Sequence, residues 1–156
     1  MSNLVAVFRH IPKQLFRVNN GPRIGLRPWA PGLRSYDVVL EDGRVQPRAL
    51  SPSTYKSPNG VSMRSNSPHQ RLLISRLYKA QNLVIYAIPA GTRLPDDLLL
   101  VHERADHYSL QPARDMGLKE LNNQVTNFFI ENGTVYTRKE WLKTFRQPTD
   151  VPDVGK

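Results

Sequence analysis

Short apolar runs separated by turn residues fill residues 83–116, and they restrict what the chain can fold into. Leu83–Ile88 and 98–101 are both apolar, and the link between them holds two prolines and a glycine. A third run, 107–111, ends at Pro112. Runs this short do not form helices, and proline and glycine interrupt them. The block therefore predicts consecutive strands of a mostly antiparallel sheet.

Helices are predicted on both sides of this block. Ser67 is followed by proline and, three positions on, by a capping-box glutamine, which predicts a helix running to about residue 78 and ending near residue 82. Apolar residues at three- and four-residue steps predict a second helix over 118–130, and a capping box at Thr137 opens a third that reaches about Phe145. Short strands are predicted at 4–8, 14–18, 36–40 and 134–136, and 60–64 is predicted to be a turn leading into the first helix.

The length of the chain predicts a single domain over residues 1–146, followed by a loose tail at 147–156 with no apolar periodicity. Residues 20–60 contain six prolines and five glycines, a density that predicts long loops. With no cysteine, the fold is held by packing alone, which is compatible with a reducing cytosol. No apolar run reaches about 18 residues, so we expect no membrane span. The run at 4–8 is interpreted as a first strand and not as a signal peptide.

The formal net charge of +9 is unevenly placed along the chain. Residues 1–60 carry nine Lys or Arg against three acidic residues. Such a field attracts polyanions, so nucleic acid, a phosphate-rich cofactor and an acidic protein partner are all candidates. A basic protein with no specific anionic ligand is an equally open interpretation.

Single residues give little information about the function of the chain. Arg17 lies among apolar neighbours, where it either emerges at a strand end or is held by an anion. Trp29 is expected to pin its loop to the core, although it can also pack over a ligand. His102 and His107 are separated by an odd number of positions on an extended chain, which argues against a shared metal. The chain contains no Walker loop, dinucleotide glycine fingerprint, nucleophile elbow or HExxH pair.

Four segments and Met116 form a more specific pattern. They are Phe16-Arg17, the Asn-Gly-Val-Ser run at 59–62, IPAGTRLPDDL at 88–98 and HYSLQPA at 107–113. In this order and spacing the chain resembles a family of type VI secretion effector toxins with an ADP-ribosyltransferase-like fold, and more closely still their fungal homologues. The resemblance covers about residues 15–129.

The resemblance implies an α+β domain in which two small, mostly antiparallel sheets, flanked by two or three helices, form a cleft for NAD. It places an arginine at Arg17 to pair with the pyrophosphate, and a hydroxyl residue at Ser62 to bond the nicotinamide ribose or to support a catalytic side chain. It places a histidine at His107 to bond a ribose hydroxyl or to transfer a proton. Arg64 is a second phosphate candidate. Ser62 and His107 are thus the candidate catalytic residues.

Two departures from the family pattern keep the chemistry open. Val61 stands where related toxins can carry a hydroxyl residue, and the strand with His107 lacks the glutamate that many ADP-ribosyltransferases use. Gln111 is the nearest polar replacement and a further candidate for cofactor binding. Transfer of ADP-ribose to a protein or nucleic acid, NAD hydrolysis and NAD binding alone all remain open. The resemblance implies a toxin that acts in the cytoplasm, and an acidic neutralising protein is a possible partner. The alternatives are a catalytically silent basic nucleic-acid-binding module on the same scaffold and an interaction protein without a ligand.

Overall fold

The computed structural model describes residues 4–151, which form an α+β fold of nine strands and three helices. The helices are α1 (Pro68–Leu72), which continues as a π-helical turn over Leu73–Leu77, α2 (Leu118–Asn132) and α3 (Arg138–Thr144). The strands are β1 (Ala6–Phe8), β2 (Leu15–Asn20), β3 (Arg44–Val45), β4 (Val61–Arg64), β5 (Leu83–Ile88), β6 (Leu98–Arg104), β7 (His107–Pro112), β8 (Met116–Gly117) and β9 (Thr134–Tyr136).

Seven of these strands form one antiparallel sheet in the order β1-β6-β7-β4-β2-β5-β9, and β3 and β8 form a separate two-stranded ladder. The block of consecutive strands predicted at residues 83–116 is confirmed. The expected pair of small sheets is replaced by one large sheet and this short ladder. The physical reason is β4, which joins the group formed by β1, β6 and β7 to the group formed by β2, β5 and β9.

The β4 segment corrects the prediction of a turn at 60–64. Val61 and Met63 are buried while Ser62 and Arg64 are partly exposed, which is the period of two expected of a strand. Four residues with one glycine before them gave too little pattern to distinguish a strand from a turn. β4 pairs with β7 through four residue pairs, whereas within residues 4–151 it is in register with β2 at one pair, Phe16 and Arg64. β2 and β4 therefore diverge beyond that pair.

The predicted strand at 36–40 is also wrong. Val38 makes one isolated bridge to Pro28, and the segment around it is a loop. A proline has no N–H group with which to continue a ladder, so pairing stops at the bridge. Strand pairing instead occurs at β3.

Helix α2 confirms the apolar stripe predicted from the sequence. Leu121, Val125, Phe128 and Phe129 are buried against the main sheet, and the Phe129 ring stacks on Tyr86 of β5 with 5.3 Å between centroids. Full burial of such a side chain contributes roughly 1.5–3 kcal/mol. The helix thus holds one face of the sheet in place.

Both predicted N-caps are present. Ser67 Oγ accepts a hydrogen bond from the Gln70 backbone N–H, and Thr137 and Glu140 form the reciprocal capping box of α3. The first helical segment ends at residue 77, before the predicted end near 82, because Tyr78 adopts an extended conformation. Helix α3 places Trp141 in a second apolar cluster.

The described part of the C-terminal segment is attached to the loop before α1. The backbone N–H groups of Thr149 and Asp150 both donate to the Asn66 carbonyl, and Lys13 Nζ lies 3.0 Å from Asp150 Oδ2. Residues 152–156 lie outside the described part of the chain. The division into a domain at 1–146 and a loose tail remains a prediction.

Candidate functional site

A cavity of about 720 Å³ opens where β2 and β4 diverge. Its volume is within the range of roughly 300–1,000 Å³ that is usual for ligand pockets. We call it the Arg17 pocket. Its lining residues come from β2, β4, the loop after β2 and the end of the first helical segment: Arg17, Asn19, Asn20, Arg23, Gly25, Arg27, Ser35, Tyr36, Asp37, Ser62 and Tyr78.

Arg17 lies on β2 with its guanidinium bonded to neutral partners. Its Nη1 donates to the backbone carbonyl of Ser62 at 3.2 Å, and its Nε and Nη2 donate to Asn19 Oδ1 at 3.3 and 3.0 Å. Burial lowers the pKa of Arg17 from its ordinary value, and the nearby Asp37 opposes that change. A half-buried cation that bonds a carbonyl and an amide gains strongly from an anion placed in the same cavity.

The rim of the Arg17 pocket is basic. Arg23 and Arg27 line it together with Arg17, and Asp37 supplies one carboxylate. Asp37 is occupied by Arg27, since Oδ2 accepts from the Arg27 backbone N–H at 2.7 Å and lies 3.4 Å from its Nε. Arg23 contacts the neutral Asn123 at 3.4 Å. The pocket therefore has an excess of positive charge, which suits a ligand with phosphate groups.

Ser62 connects this pocket to His107 on the neighbouring strand. The Ser62 hydroxyl lies 3.1 Å from His107 Nε2, and the Ser62 carbonyl accepts from Arg17. Arg17, Ser62 and His107 lie on β2, β4 and β7, which are far apart in sequence and adjacent in the sheet. The structure thus brings together the three residues on which the resemblance depends.

Glu103 is a member of this cluster that sequence reasoning missed. Its Oε1 lies 2.8 Å from His107 Nδ1, and its Oε2 accepts a hydrogen bond from the Tyr55 hydroxyl. Burial alone would raise the pKa of Glu103, but His107 and Tyr55 hold that pKa below its ordinary value. Burial and the neighbouring carboxylate raise the pKa of Tyr55. One signal was available in the sequence, because Glu103 is an acidic residue two positions after the apolar run at 98–101.

Two candidate cofactor residues lie elsewhere. Arg64 Nη1 pairs with Asp106 Oδ1 at 2.8 Å, and Gln111 is fully buried, where its Nε2 donates to the Tyr55 hydroxyl at 2.5 Å. Neither residue lines the Arg17 pocket. Arg64 is held by a carboxylate and Gln111 has no exposed surface, so this geometry gives neither a direct contact with a ligand in the pocket.

Trp29 corrects a further expectation. Half of its surface is exposed, so it does not pin its loop to the core. The backbone N–H of Trp29 donates to the Val38 carbonyl, and the backbone N–H of Asp37 donates to the Arg27 carbonyl. These two bonds join the ends of the loop. Ser35 and Asp37 of the same loop line the Arg17 pocket, whereas Trp29 is not among the lining residues.

By their geometry, residues 4–151 contain neither a membrane-spanning helix nor a metal-ligand cluster. No helix in this part of the chain is long and apolar enough to cross a bilayer. The same residues contain no group of three or more His, Asp or Glu side chains that is arranged to hold a metal ion.

Comparison with known proteins provides independent information on identity. A search of curated proteins found no match to the chain. A model of one family, the Tse2 ADP-ribosyltransferase toxin, matches residues 13–141. This match includes β2, β4 and β7, and with them the cluster of Arg17, Ser62 and His107. With most of its length covered, the chain belongs to the Tse2 family of ADP-ribosyltransferase toxins.

Proposed function

We propose that the chain binds NAD in the Arg17 pocket and cleaves the bond between nicotinamide and its ribose. One observation carries this proposal: a guanidinium, a hydroxyl and an imidazole from three strands are linked at a single basic cavity. The links are 3.2 Å from Arg17 Nη1 to the Ser62 carbonyl and 3.1 Å from Ser62 Oγ to His107 Nε2. Family membership supports NAD as the substrate, because ADP-ribosyltransferases consume it.

The charges of the pocket suit a pyrophosphate. Asp37 offsets Arg27, so Arg17 and Arg23 remain as two cations for the two negative charges of the NAD pyrophosphate. Arg17 donates from a fixed position on a strand, and its planar fork matches phosphate oxygens. Anchoring the pyrophosphate there orients the rest of the dinucleotide within the cavity, which lowers the entropic part of the barrier.

Ser62 is the residue of the cluster that faces both the pocket and His107. As the glycosidic bond breaks, its electron pair leaves with nicotinamide and the ribose carbon becomes cationic. The Ser62 oxygen stabilises that charge, directly or through a ribose hydroxyl. The acceptor then forms a bond to this carbon, and the proton that it loses passes through the Ser62 hydroxyl to His107 Nε2.

The acceptor is either water, which gives NAD hydrolysis, or a macromolecule, which gives ADP-ribosylation. As a toxin, the chain would act in the cytoplasm of a target cell, where NAD and macromolecular acceptors are both present. The excess of basic residues fits an acceptor or a neutralising protein with an acidic surface.

A second candidate function rests on the charge of +9 and on the exposed Trp29, which lies on the same loop as the pocket residues Ser35 and Asp37. A basic groove with an exposed aromatic ring is also typical of single-strand nucleic-acid binding. This silent binding module would bind oligonucleotides with a steep salt dependence and release no nicotinamide from NAD. Chromatography of NAD reactions, run beside oligonucleotide titrations at several salt concentrations, separates the two functions.

Replacing Ser62 with alanine is expected to lower the rate of nicotinamide release by about 10²-fold, because the oxygen next to the cationic carbon is lost. His107→Ala is expected to lower it by a similar factor, since proton transfer by a positioned side chain contributes about 10²–10⁴-fold. Affinity for NAD, measured by calorimetry, should change much less than turnover, because Arg17 remains.

Ser75 provides the control for these variants. It is an exposed serine in the π-helical turn, and Ser75→Ala should leave both turnover and affinity at the wild-type level. In cells without an antidote, wild-type and Ser75→Ala chains should stop growth, while Ser62→Ala and His107→Ala should be tolerated. Equal toxicity of all four chains would remove Ser62 and His107 from the site.

A further inference from the structure

We propose that Glu103 is a positioning residue that holds His107 in one tautomer and thereby turns the Ser62 oxygen into a hydrogen-bond acceptor facing the Arg17 pocket. The inference rests on the proposed function, because Ser62 is taken there to act on the ribose of NAD. It assigns to Glu103 a role in turnover without contact with the substrate.

The position of Glu103 results from a β-bulge. His102 pairs with Tyr108 and Arg104 pairs with His107, so Glu103 is one extra residue on β6 at that point. A bulge disrupts the regular alternation of side chains and re-aims the residue that it inserts. Here the carboxylate reaches His107 Nδ1 at 2.8 Å, although His107 is paired with the next residue of the strand.

The buried carboxylate is supported by two further donors in sequence. The Tyr55 hydroxyl donates to Glu103 Oε2, and Gln111 Nε2 donates to the Tyr55 oxygen at 2.5 Å. Gln111 also contacts Asn59 Nδ2 at 3.4 Å through its Oε1. Each of these side chains donates in one direction, toward Glu103, so the network favours an ionised carboxylate behind His107. It also gives Gln111 a structural task in place of ligand contact.

An ionised Glu103 fixes the hydrogen positions in front of it. Glu103 Oε1 lies 2.8 Å from Nδ1, off the line of the ring N–H, and a carboxylate only accepts hydrogen bonds. Its negative charge therefore favours the tautomer of neutral His107 that carries the proton on Nδ1 and a lone pair on Nε2. The Ser62 hydroxyl must then donate to Nε2, which lies 3.1 Å away. Its oxygen lone pairs are left to face the pocket, where they can accept from a ribose hydroxyl and approach a developing positive charge.

Reversing the tautomer would remove this arrangement. With the proton on Nε2, His107 would donate to Ser62, and the serine hydrogen would point into the pocket toward the cationic carbon. The same atoms at the same distances would then oppose cleavage. Glu103 therefore affects turnover through the direction of one hydrogen bond, and NAD affinity, which depends on Arg17, should be almost independent of it.

The test is nitrogen NMR of histidine-labelled protein combined with NAD kinetics. In the wild type, the His107 ring, identified by its loss in His107→Gln, is expected to show the Nδ1-protonated form. Glu103→Gln keeps the size of the side chain but also offers a donor, so a mixture of tautomers is expected. Its kcat for nicotinamide release should fall by about 10²-fold, while KM and Kd for NAD stay within about threefold. Tyr55→Phe leaves the carboxylate in place, so it should keep the wild-type tautomer and lose less than about tenfold in kcat.

An Nε2-protonated His107 in the wild type would overturn the proposal, and this spectrum requires no altered Glu103. Unchanged kcat in folded Glu103→Gln protein would overturn it as well. If Glu103→Gln fails to fold, the wild-type and Tyr55→Phe spectra decide the matter alone. Absence of nicotinamide release from the wild type would instead refute the proposed function, and the NMR result would still report on the tautomer.

Discussion

Arg17→Ala is expected to reduce nicotinamide release by about 10²–10³-fold and to weaken NAD binding by a comparable factor. The guanidinium is the one cation of the Arg17 pocket that is anchored to β4, through the Ser62 carbonyl at 3.2 Å. It also bonds Asn19, which is held in turn by the carbonyls of Gly21 and Arg23. Truncating one partner of a buried, hydrogen-bonded charge pair costs roughly 2–5 kcal/mol, which corresponds to about 30- to 5,000-fold and brackets the expected loss.

Arg17→Lys separates charge from geometry. It keeps the positive charge but loses the planar fork, so an intermediate loss of NAD affinity is expected. Arg146→Ala is the matched control, because Arg146 is exposed and bonds the carbonyl of Lys143, away from the pocket. Calorimetry gives the affinity, chromatography gives the turnover, and thermal unfolding verifies that each variant is folded. Wild-type affinity and turnover in Arg17→Ala would show that NAD is not bound in this pocket.

The parts of the fold that sequence analysis predicted best are those determined by local patterns. Ser67 and Thr137 cap helices where their spacing to a glutamine and a glutamate indicated, and the apolar stripe of α2 packs as expected. These features depend on residues within one or two turns of each other. Interactions within a single segment decide whether each cap and the stripe form, so the sequence alone is enough to predict them.

The sheet was harder to predict because its organisation depends on one short strand. Buried and partly exposed residues alternate along the four residues of β4. This pattern can be recognised only once β7 and β2 are known to lie on either side of it. Without β4 the remaining strands form two groups, which is the arrangement expected from the resemblance. Tertiary pairing overrode the local preference for a turn after Gly60.

In the site, too, contacts between segments that are distant in the sequence were harder to predict than local features. Arg17, Ser62 and His107 were identified by a motif that is specific to a family, and no periodicity within any one segment indicates that they meet. Glu103 lay outside the motif, and its approach to His107 requires a bulge that pattern analysis does not detect. Gln111 was selected as a polar replacement on the motif strand, yet the carboxylate beside His107 comes from the neighbouring strand.

Gly60→Ala is expected to destabilise the protein by about 3 kcal/mol and to abolish nicotinamide release. A Cβ atom at this position would lie 2.2 Å from the backbone oxygen of Leu110 and 3.0 Å from the Gln111 side chain. The first of these is a backbone atom of the β7 strand and cannot rotate away, so the two strands must separate. Overpacking of this kind costs typically 1–3 kcal/mol, and a rigid backbone contact belongs at the upper end.

The loss of activity follows from the position of the clash. Val61 pairs with Leu110 and Ser62 pairs with Ser109, so moving the start of β4 away from β7 displaces the Ser62 hydroxyl from His107. For a domain of this size a loss of 3 kcal/mol lowers the melting temperature by roughly 6–12 °C. Gly25→Ala is the control, because a Cβ there meets no heavy atom within 4 Å and the melting temperature should hardly change. If Gly60→Ala has the same melting temperature as Gly25→Ala and keeps wild-type turnover, β4 and β7 are not packed as closely as the structure has them.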